Sequence, residues 1–187
     1  MILTDREIQI SLEKRSIVID PLPVEKAFSS TSVDLTLDPI LSIFREGRAG
    51  LDRVVDPSHK DFDHDATLAD LTDQVTIPAD GYVFNPNHLI LAWTKEYVNL
   101  KNDIRIAARV EGKSSLARLG IGVHVTAPII HAGFDGKIRL EMINHGKVPV
   151  KLREGMRICQ LVFETTQGTP DRGYNGRFSG QSSNRRG

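Results

Sequence analysis

Hydrophobic positions in this chain recur mostly with period two, in short runs separated by Gly, Pro, Asn or Asp. Ser32-Val33-Asp34-Leu35-Thr36-Leu37 alternates as a half-buried strand does, successive side chains facing opposite ways. Further β-leaning runs fall at residues 74–77, 82–84, 88–94, 104–110, 121–127, 137–144, 148–152 and 157–164. Many short strands at this spacing predict a sandwich, jelly roll or distorted barrel. Helix is expected at two places. Thr4-Asp5-Arg6-Glu7 reads as a capping box, the Thr4 hydroxyl accepting from the Glu7 N–H and the Glu7 carboxylate reaching back. Ile8 and Leu12 follow it, so a helix over about residues 5–13 is predicted. The second candidate, a short internal helix, is Ser114 to Leu119. Ile17-Val18-Ile19 leads into Pro21 and Pro23 as an extended connection.

Two segments break the β pattern. Residues 52–73 hold Asp52, Asp56, Asp61, Asp63, Asp65, Asp70 and Asp73 against Arg53 and Lys60, and read as an exposed acidic excursion. Residues 168–187 hold Arg172, Arg177, Arg185 and Arg186 against Asp171, with too few apolar groups to pack alone. That tail either stays disordered or closes over an anion. The expected organisation is one β domain over 1–167 followed by a flexible Gly/Arg-rich tail over 168–187. The 24 basic and 24 acidic residues cancel, so there is no global basic field to hold nucleic acid. Cys159 is the only cysteine, which rules out an internal disulfide and a Cys-rich metal site and favours a reducing compartment. No signal pattern opens the chain, and no apolar run approaches the ~20 residues that span a bilayer. A soluble, cytoplasmic protein without a membrane partner is expected.

Two stretches carry candidate chemistry. Lys113-Ser114-Ser115-Leu116-Ala117-Arg118 concentrates two hydroxyls and two cations where a helix is expected to start. Such a set of donors suits an anion; a capped helix with solvated basic residues is the alternative. It is not a Walker loop, since Gly-x-x-x-x-Gly-Lys-Ser/Thr is absent. In the second stretch Ile138, Leu140 and Met142 share one strand face, while Lys137, Arg139 and Glu141 share the other. The polar face either meets solvent through ion pairs or lines a site. In a site, Glu141 is the candidate acid/base group, and its surroundings must tune it away from the free value of ~4.3. His131 is a hydrogen-bonded structural residue or a site residue. His59, Asp61, Asp63, His64 and Asp65 read as a solvated charge run lacking the loop glycine of a calcium motif. The His-x-Glu and Pro-Cys-x-x-Cys of zinc nucleobase deaminases are missing, which excludes that mechanism.

At these residues the sequence resembles the dCTP deaminase family, relatives of the trimeric dUTP diphosphatases. The resemblance is carried by Glu111-Gly112-Lys113-Ser114-Ser115-Leu116-Ala117-Arg118-Leu119-Gly120, Val123-His124-Val125-Thr126-Ala127, and Gly133-Phe134-Asp135-Gly136 through Leu140-Glu141. It continues in Leu152-Arg153-Glu154-Gly155-Met156 and in Tyr174 with Arg177-Phe178-Ser179-Gly180-Gln181. It implies a mainly β, dUTPase-like fold, a distorted jelly roll or barrel with a short N-terminal and one short internal helix. It further implies a homotrimer with active sites at subunit interfaces, a neighbour lending residues. The substrate would be dCTP, with Mg2+ bound through its triphosphate, no zinc, and dTTP as a possible inhibitor. Glu141 would be the catalytic glutamate that activates water for attack on C4 and passes the proton to the leaving ammonia. Ser114 and Arg118 would position that water and stabilise the site. Lys113, Ser115, Arg177 and Gln181 would contact the triphosphate, Tyr174 would pack on the nucleotide, and the Thr126-Ala127 backbone would read the base edge. His131, Arg139 and Gln160 complete the expected substrate site.

The chain departs from the family pattern in several places. Lys113 stands where arginine is usual, losing a bidentate fork, and Arg177 stands where lysine is usual. Pro128, which lacks an N–H, stands where many relatives have histidine. His131 replaces the usual aspartate, which in the diphosphatases activates the water that attacks phosphorus. That replacement argues against efficient diphosphatase activity, whereas Gln160 resembles diphosphatases and bifunctional members. The leading expectation is a metal-independent dCTP deaminase releasing dUTP and ammonia. A dUTP diphosphatase or bifunctional enzyme is the alternative, and a non-catalytic nucleotide-binding regulator the third.

Overall fold

The computed structural model describes residues 1–45, 54–101, 105–174, 176 and 180–183. Among these the helices are α1 (Asp5–Glu13), α2 (His64–Leu71) and α3 (Ser114–Ala117). The strands are β1 (Ile17–Asp20), β2 (Phe28–Ser29), β3 (Ser32–Thr36), β4 (Ile40–Phe44), β5 (Thr72–Thr76), β6 (Tyr82–Phe84) and β7 (Leu89–Leu100). They continue with β8 (Ile106–Gly112), β9 (Ile121–Gly122), β10 (Ile129–Ile130), β11 (Asp135–Asn144), β12 (Val150–Leu152) and β13 (Arg157–Thr165).

One sheet runs β5-β4-β7-β11-β9, with β1 also paired to β7, and a second runs β10-β8-β13-β3-β2. A separate two-stranded pair joins β12 to β6. Leu35, Ile90, Val110, Leu140 and Phe163, drawn from both large sheets, belong to one apolar core. β7 holds the centre: its Ile90–Thr94 stretch is buried throughout, because it has paired neighbours and packing on both faces. β11 buries Ile138, Leu140 and Met142 and leaves Lys137, Arg139 and Glu141 half-buried, the expected two-faced strand. The mainly β reading therefore holds, and no helix among the described residues is long and apolar enough to cross a membrane.

Several expectations are corrected. The acidic segment carries a second internal helix, α2, started by Asp63, whose side chain accepts from the N–H groups of Asp65 and Ala66. A capping carboxylate thus turns a run of charges into regular structure. α1 lies where predicted, but Thr4 makes no side-chain cap; the Asp5 N–H instead donates to the Ser30 carbonyl at 3.0 Å. β3 is buried on both faces over Ser32–Leu35, not half-buried, because Asp34 is neutralised by Lys113 and Arg157. Of the run 121–127 only Ile121–Gly122 is strand. The strands β1, β2, β4 and β10 were not predicted; Ile17–Asp20, read as a connection, pairs with Tyr97–Leu100.

One irregularity positions the site. Along β11, Lys137 faces Tyr97 and Arg139 faces Trp93, so β7 fits extra residues into that interval. The Ile138 N–H, lacking its ladder partner there, donates to Thr94 Oγ1 at 3.0 Å. A bulge of this kind re-aims the flanking side chains, and here it sets Arg139 against Trp93.

Candidate active site

A pocket of about 800 Å³ opens beside the polar face of β11. Glu141, Arg139, His131, Ala127, Tyr174 and Gln181 line it together. Glu141 is half-buried, and burial is the largest influence on its carboxyl, pushing its pKa above the ordinary glutamate value. Its own backbone N–H, the Val125 N–H and the charges of His124 and Arg139 pull the other way without cancelling that effect. A carboxyl raised in this way holds a proton more readily than a solvated one, which is what a group that both takes and returns a proton requires. His124 adjoins this carboxyl, and its buried Nδ1 has no hydrogen-bond partner among the described residues.

Arg139 is one strand step from Glu141 on the same face. Its guanidinium lies 4.4 Å from the Trp93 ring centroid, and Nη2 donates to Ser42 Oγ at 3.1 Å. Burial lowers its pKa from the usual arginine value, with Glu141 and Asp65 opposing. Opposite this wall, His131 stacks on Tyr174 with ring centroids 5.5 Å apart and planes 14° from parallel. The Tyr174 N–H donates to the Ala132 carbonyl at 3.0 Å. Gln181 is bound to β11 twice: its carbonyl accepts from the Lys137 N–H at 3.0 Å, and Nε2 donates to the Lys137 carbonyl at 2.9 Å. Gly136 permits that approach. Its φ is +151°, and a Cβ there would stand 2.9 Å from the Gln181 carbonyl oxygen.

Lys113, Ser114, Ser115, Arg118, Thr126 and Gln160 do not line this pocket. Ser114, Ser115 and Arg118 sit exposed on the single turn of α3. That turn is anchored by Gly120, whose φ is +90° and whose missing Cβ would lie 2.3 Å from the Gly146 nitrogen. Lys113 Nζ reaches the buried Asp34 carboxylate at 2.5 Å, and Arg157 Nη1 reaches the same group at 3.2 Å. Gln160 accepts from Ser32 Oγ at 2.9 Å and donates to the Gly112 carbonyl at 3.2 Å, so within the chain it braces the loop that carries Lys113. Thr126 is exposed beside Ala127. Arg177 lies outside the described residues.

Sequence reasoning missed part of the wall. Trp93, Phe134, Ser42, Thr72 and Gln74 line the pocket, as do His64 and Asp65 of the acidic segment, so that segment is not merely a solvated run. Trp93 lay inside a run read only as strand, and its place opposite Arg139 depends on the bulge, which leaves no local sequence mark.

A mainly β domain with a nucleotide-sized pocket lined by a burial-tuned carboxyl and a stacked His131–Tyr174 pair has the form of a small-molecule site equipped for proton transfer. The chain belongs to the dCTP deaminase-like family, whose model matches residues 2–166. It is 41% identical over 165 residues to a dUMP-forming dCTP deaminase of Methanobrevibacter smithii, covering 88% of this chain and 80% of that protein. It is 41% identical over 180 residues to a dCTP deaminase of Shewanella loihica, covering 96% of this chain and 91% of that one. The fold is shared with the crystal structure of 2'-deoxycytidine 5'-triphosphate deaminase from Agrobacterium tumefaciens, at a TM-score of 0.65 and 22% identity. That match takes in 88% of this chain and 47% of the other, so the chain spans about half of that protein's length.

Proposed function

We propose that the chain deaminates dCTP hydrolytically, giving dUTP and ammonia. The carrying observation is Glu141, a carboxyl made more basic by burial on the wall of a nucleotide-sized pocket. In this reading water attacks C4 of the cytosine ring while Glu141 takes its proton. The second water proton ends on N3, which becomes the ring N–H of uracil, while Glu141 returns the first to the exocyclic nitrogen, so that the C4–N bond breaks, ammonia leaves and a C4 carbonyl remains. Asp65 is the other carboxylate on the pocket wall, and its side chain is 68% exposed, which suits it poorly to that task. General acid/base catalysis supplies about 10²–10⁴-fold; oriented donors supply the rest. Mg2+ enters as part of the substrate, held by its phosphates. dTTP, which keeps the sugar and triphosphate but lacks the amine, competes for the same pocket. The enzyme works in the cytoplasm.

The assembly is a homotrimer in which a neighbour's Lys113, Ser114, Ser115 and Arg118 complete each pocket. Supporting this, those groups lie outside the Glu141 pocket of their own chain while Leu119, Val125 and Ile129 nearby in sequence are 50%, 56% and 49% exposed. Ser114 and Arg118 position the water; Lys113, Ser115, Arg177 and Gln181 hold the triphosphate. His131 and Tyr174 pack against the sugar and nucleotide, the Thr126-Ala127 backbone reads the base, and the tail over 168–187 closes the site. Ammonia release from dCTP with Mg2+ tests the activity, and Glu141→Gln is expected to reduce it by roughly 10²–10⁴-fold. Undiminished turnover in that variant would sink the role given to Glu141.

A dUMP-forming reaction is the second reading, favoured by the likeness to the dUMP-forming dCTP deaminase of Methanobrevibacter smithii. His131 on the pocket wall, without the negative charge of a carboxylate, weighs against it. Chromatography of the products formed from dCTP separates dUTP from dUMP, and pyrophosphate release that increases in His131→Asp would support this account of His131.

A further inference from the structure

Arg139 is over-provided for the reaction just described. Its guanidinium is half-buried, makes one hydrogen bond among the described residues, to Ser42, and covers Trp93. Its Nε is fully buried with no acceptor among the described residues. Glu141 and Asp65 are near enough to act on its charge, yet neither is in ion-pair contact with it. A half-buried cation without a carboxylate in contact is costly, and a guanidinium left so on a pocket wall is suited to an acceptor from outside the chain.

The spacing says where that acceptor belongs. Arg139 and Glu141 are two residues apart on β11, so their side chains leave the strand roughly 6.5–7 Å apart. With the C4 amine at Glu141, the guanidinium reaches the position next to C4 on the ring. C4 is flanked by N3 and C5, and only C5 can carry a substituent. Ser42, Thr72, Gln74 and Trp93 line the same pocket, with the Arg139 guanidinium over the Trp93 ring. The charged groups facing this space are the Glu141 and Asp65 carboxylates, with His64 beside Asp65 at 3.0 Å. Two carboxylates disfavour an anionic substituent and accept from a hydroxyl. A neutral hydroxyl can therefore accept from an Arg139 Nη and donate to Ser42 Oγ or Asp65.

Resting on the cytosine-nucleotide reading of this pocket, we propose that Arg139, Trp93 and Ser42 form a subsite for a hydroxyl-bearing substituent at C5. The substrate class then includes 5-hydroxymethyl-dCTP as well as dCTP.

The test compares dCTP, 5-methyl-dCTP and 5-hydroxymethyl-dCTP by calorimetric binding to the full-length Glu141→Gln protein, and by kcat/KM with the unaltered protein. The hydroxymethyl nucleotide is expected to bind roughly tenfold or more tightly than the methyl one, the two being close in size. Arg139→Met brings that ratio close to one, and Ser42→Ala lowers it. Equal binding of the two nucleotides by the unaltered pocket overturns the subsite, as does a preference that survives Arg139→Met. An Arg139→Met loss that falls equally on all three nucleotides marks a merely structural arginine and also overturns it. If dCTP is bound and deaminated without a C5 preference, only the subsite fails. If no cytosine nucleotide is bound or turned over, the underlying reading fails with it.

Discussion

Glu141 links stability to pH with a definite sign. Burial raises its pKa in the folded chain above the ordinary glutamate value. The folded state therefore holds the proton more tightly than the unfolded state does. Its contribution to stability is present in full below the ordinary glutamate range and is lost as pH rises through the raised value. Glu141→Gln, which cannot ionise, is thus expected to melt at a higher temperature than the unaltered chain near neutral pH and at the same temperature in acid. Thermal melts across that range check it, and a melting difference that grows toward acid would contradict it. The acid limb of kcat/KM for dCTP is expected above the ordinary glutamate range for the same reason. Asp34 poses the opposite problem. It is 4% exposed and neutralises both Lys113 and Arg157. Asp34→Ala leaves two cations facing each other, although both keep a path to water. The expected cost is roughly 1–3 kcal/mol, read from urea unfolding.

Among the elements, β11 does the most. Its buried face carries the core, its polar face carries Arg139 and Glu141, and its start receives Gln181 from the tail. Gly136→Ala would set a methyl 2.9 Å from the Gln181 carbonyl oxygen in a backbone conformation that alanine avoids. The tail is expected to detach, at a local cost of roughly 1–3 kcal/mol. Trypsin then cuts faster at the exposed Arg172 while the melting temperature of the domain changes little. β11 was legible beforehand, because period two in Gly136–Glu141 is a local pattern that burial simply follows. α1 and α3 were legible for the same reason. β1 and β4 were not: Ile17–Asp20 and Ile40–Phe44 are short apolar runs beside prolines, and only pairing with β7, and for β4 also with β5, makes them strands. α2 stayed hidden because its one strong signal, the Asp63 cap, sits among aspartates that look alike in sequence. The pocket was half legible. The residues on β11 could be named, but Trp93, Ser42 and Gln74 come from strands whose register is set by pairings distant in sequence.

At the scale of the whole molecule the decisive question is which chain completes which pocket. Within one chain, Glu141 lines the pocket, while Ser114 and Arg118 project from α3 outside its lining. If both sets serve one reaction, a second copy must bring its α3 to the pocket mouth, and a closed ring of three does this with one repeated contact. Glu141→Gln and Ser114→Ala are each expected to be inactive as pure proteins. Their co-assembled mixture is not. A pocket works when its Glu141 comes from a chain altered at Ser114 and its Ser114 from a neighbour altered at Glu141. Each condition is met half the time in an equal random mixture, so about a quarter of wild-type activity returns. Had one chain supplied both groups, every pocket would carry a lesion and the mixture would stay dead. Sedimentation of the unaltered protein as a trimer, together with recovered ammonia release in the co-expressed variants, therefore supports the shared site. Trimeric sedimentation without recovery would keep the assembly but assign Glu141 and Ser114 to the same chain's site.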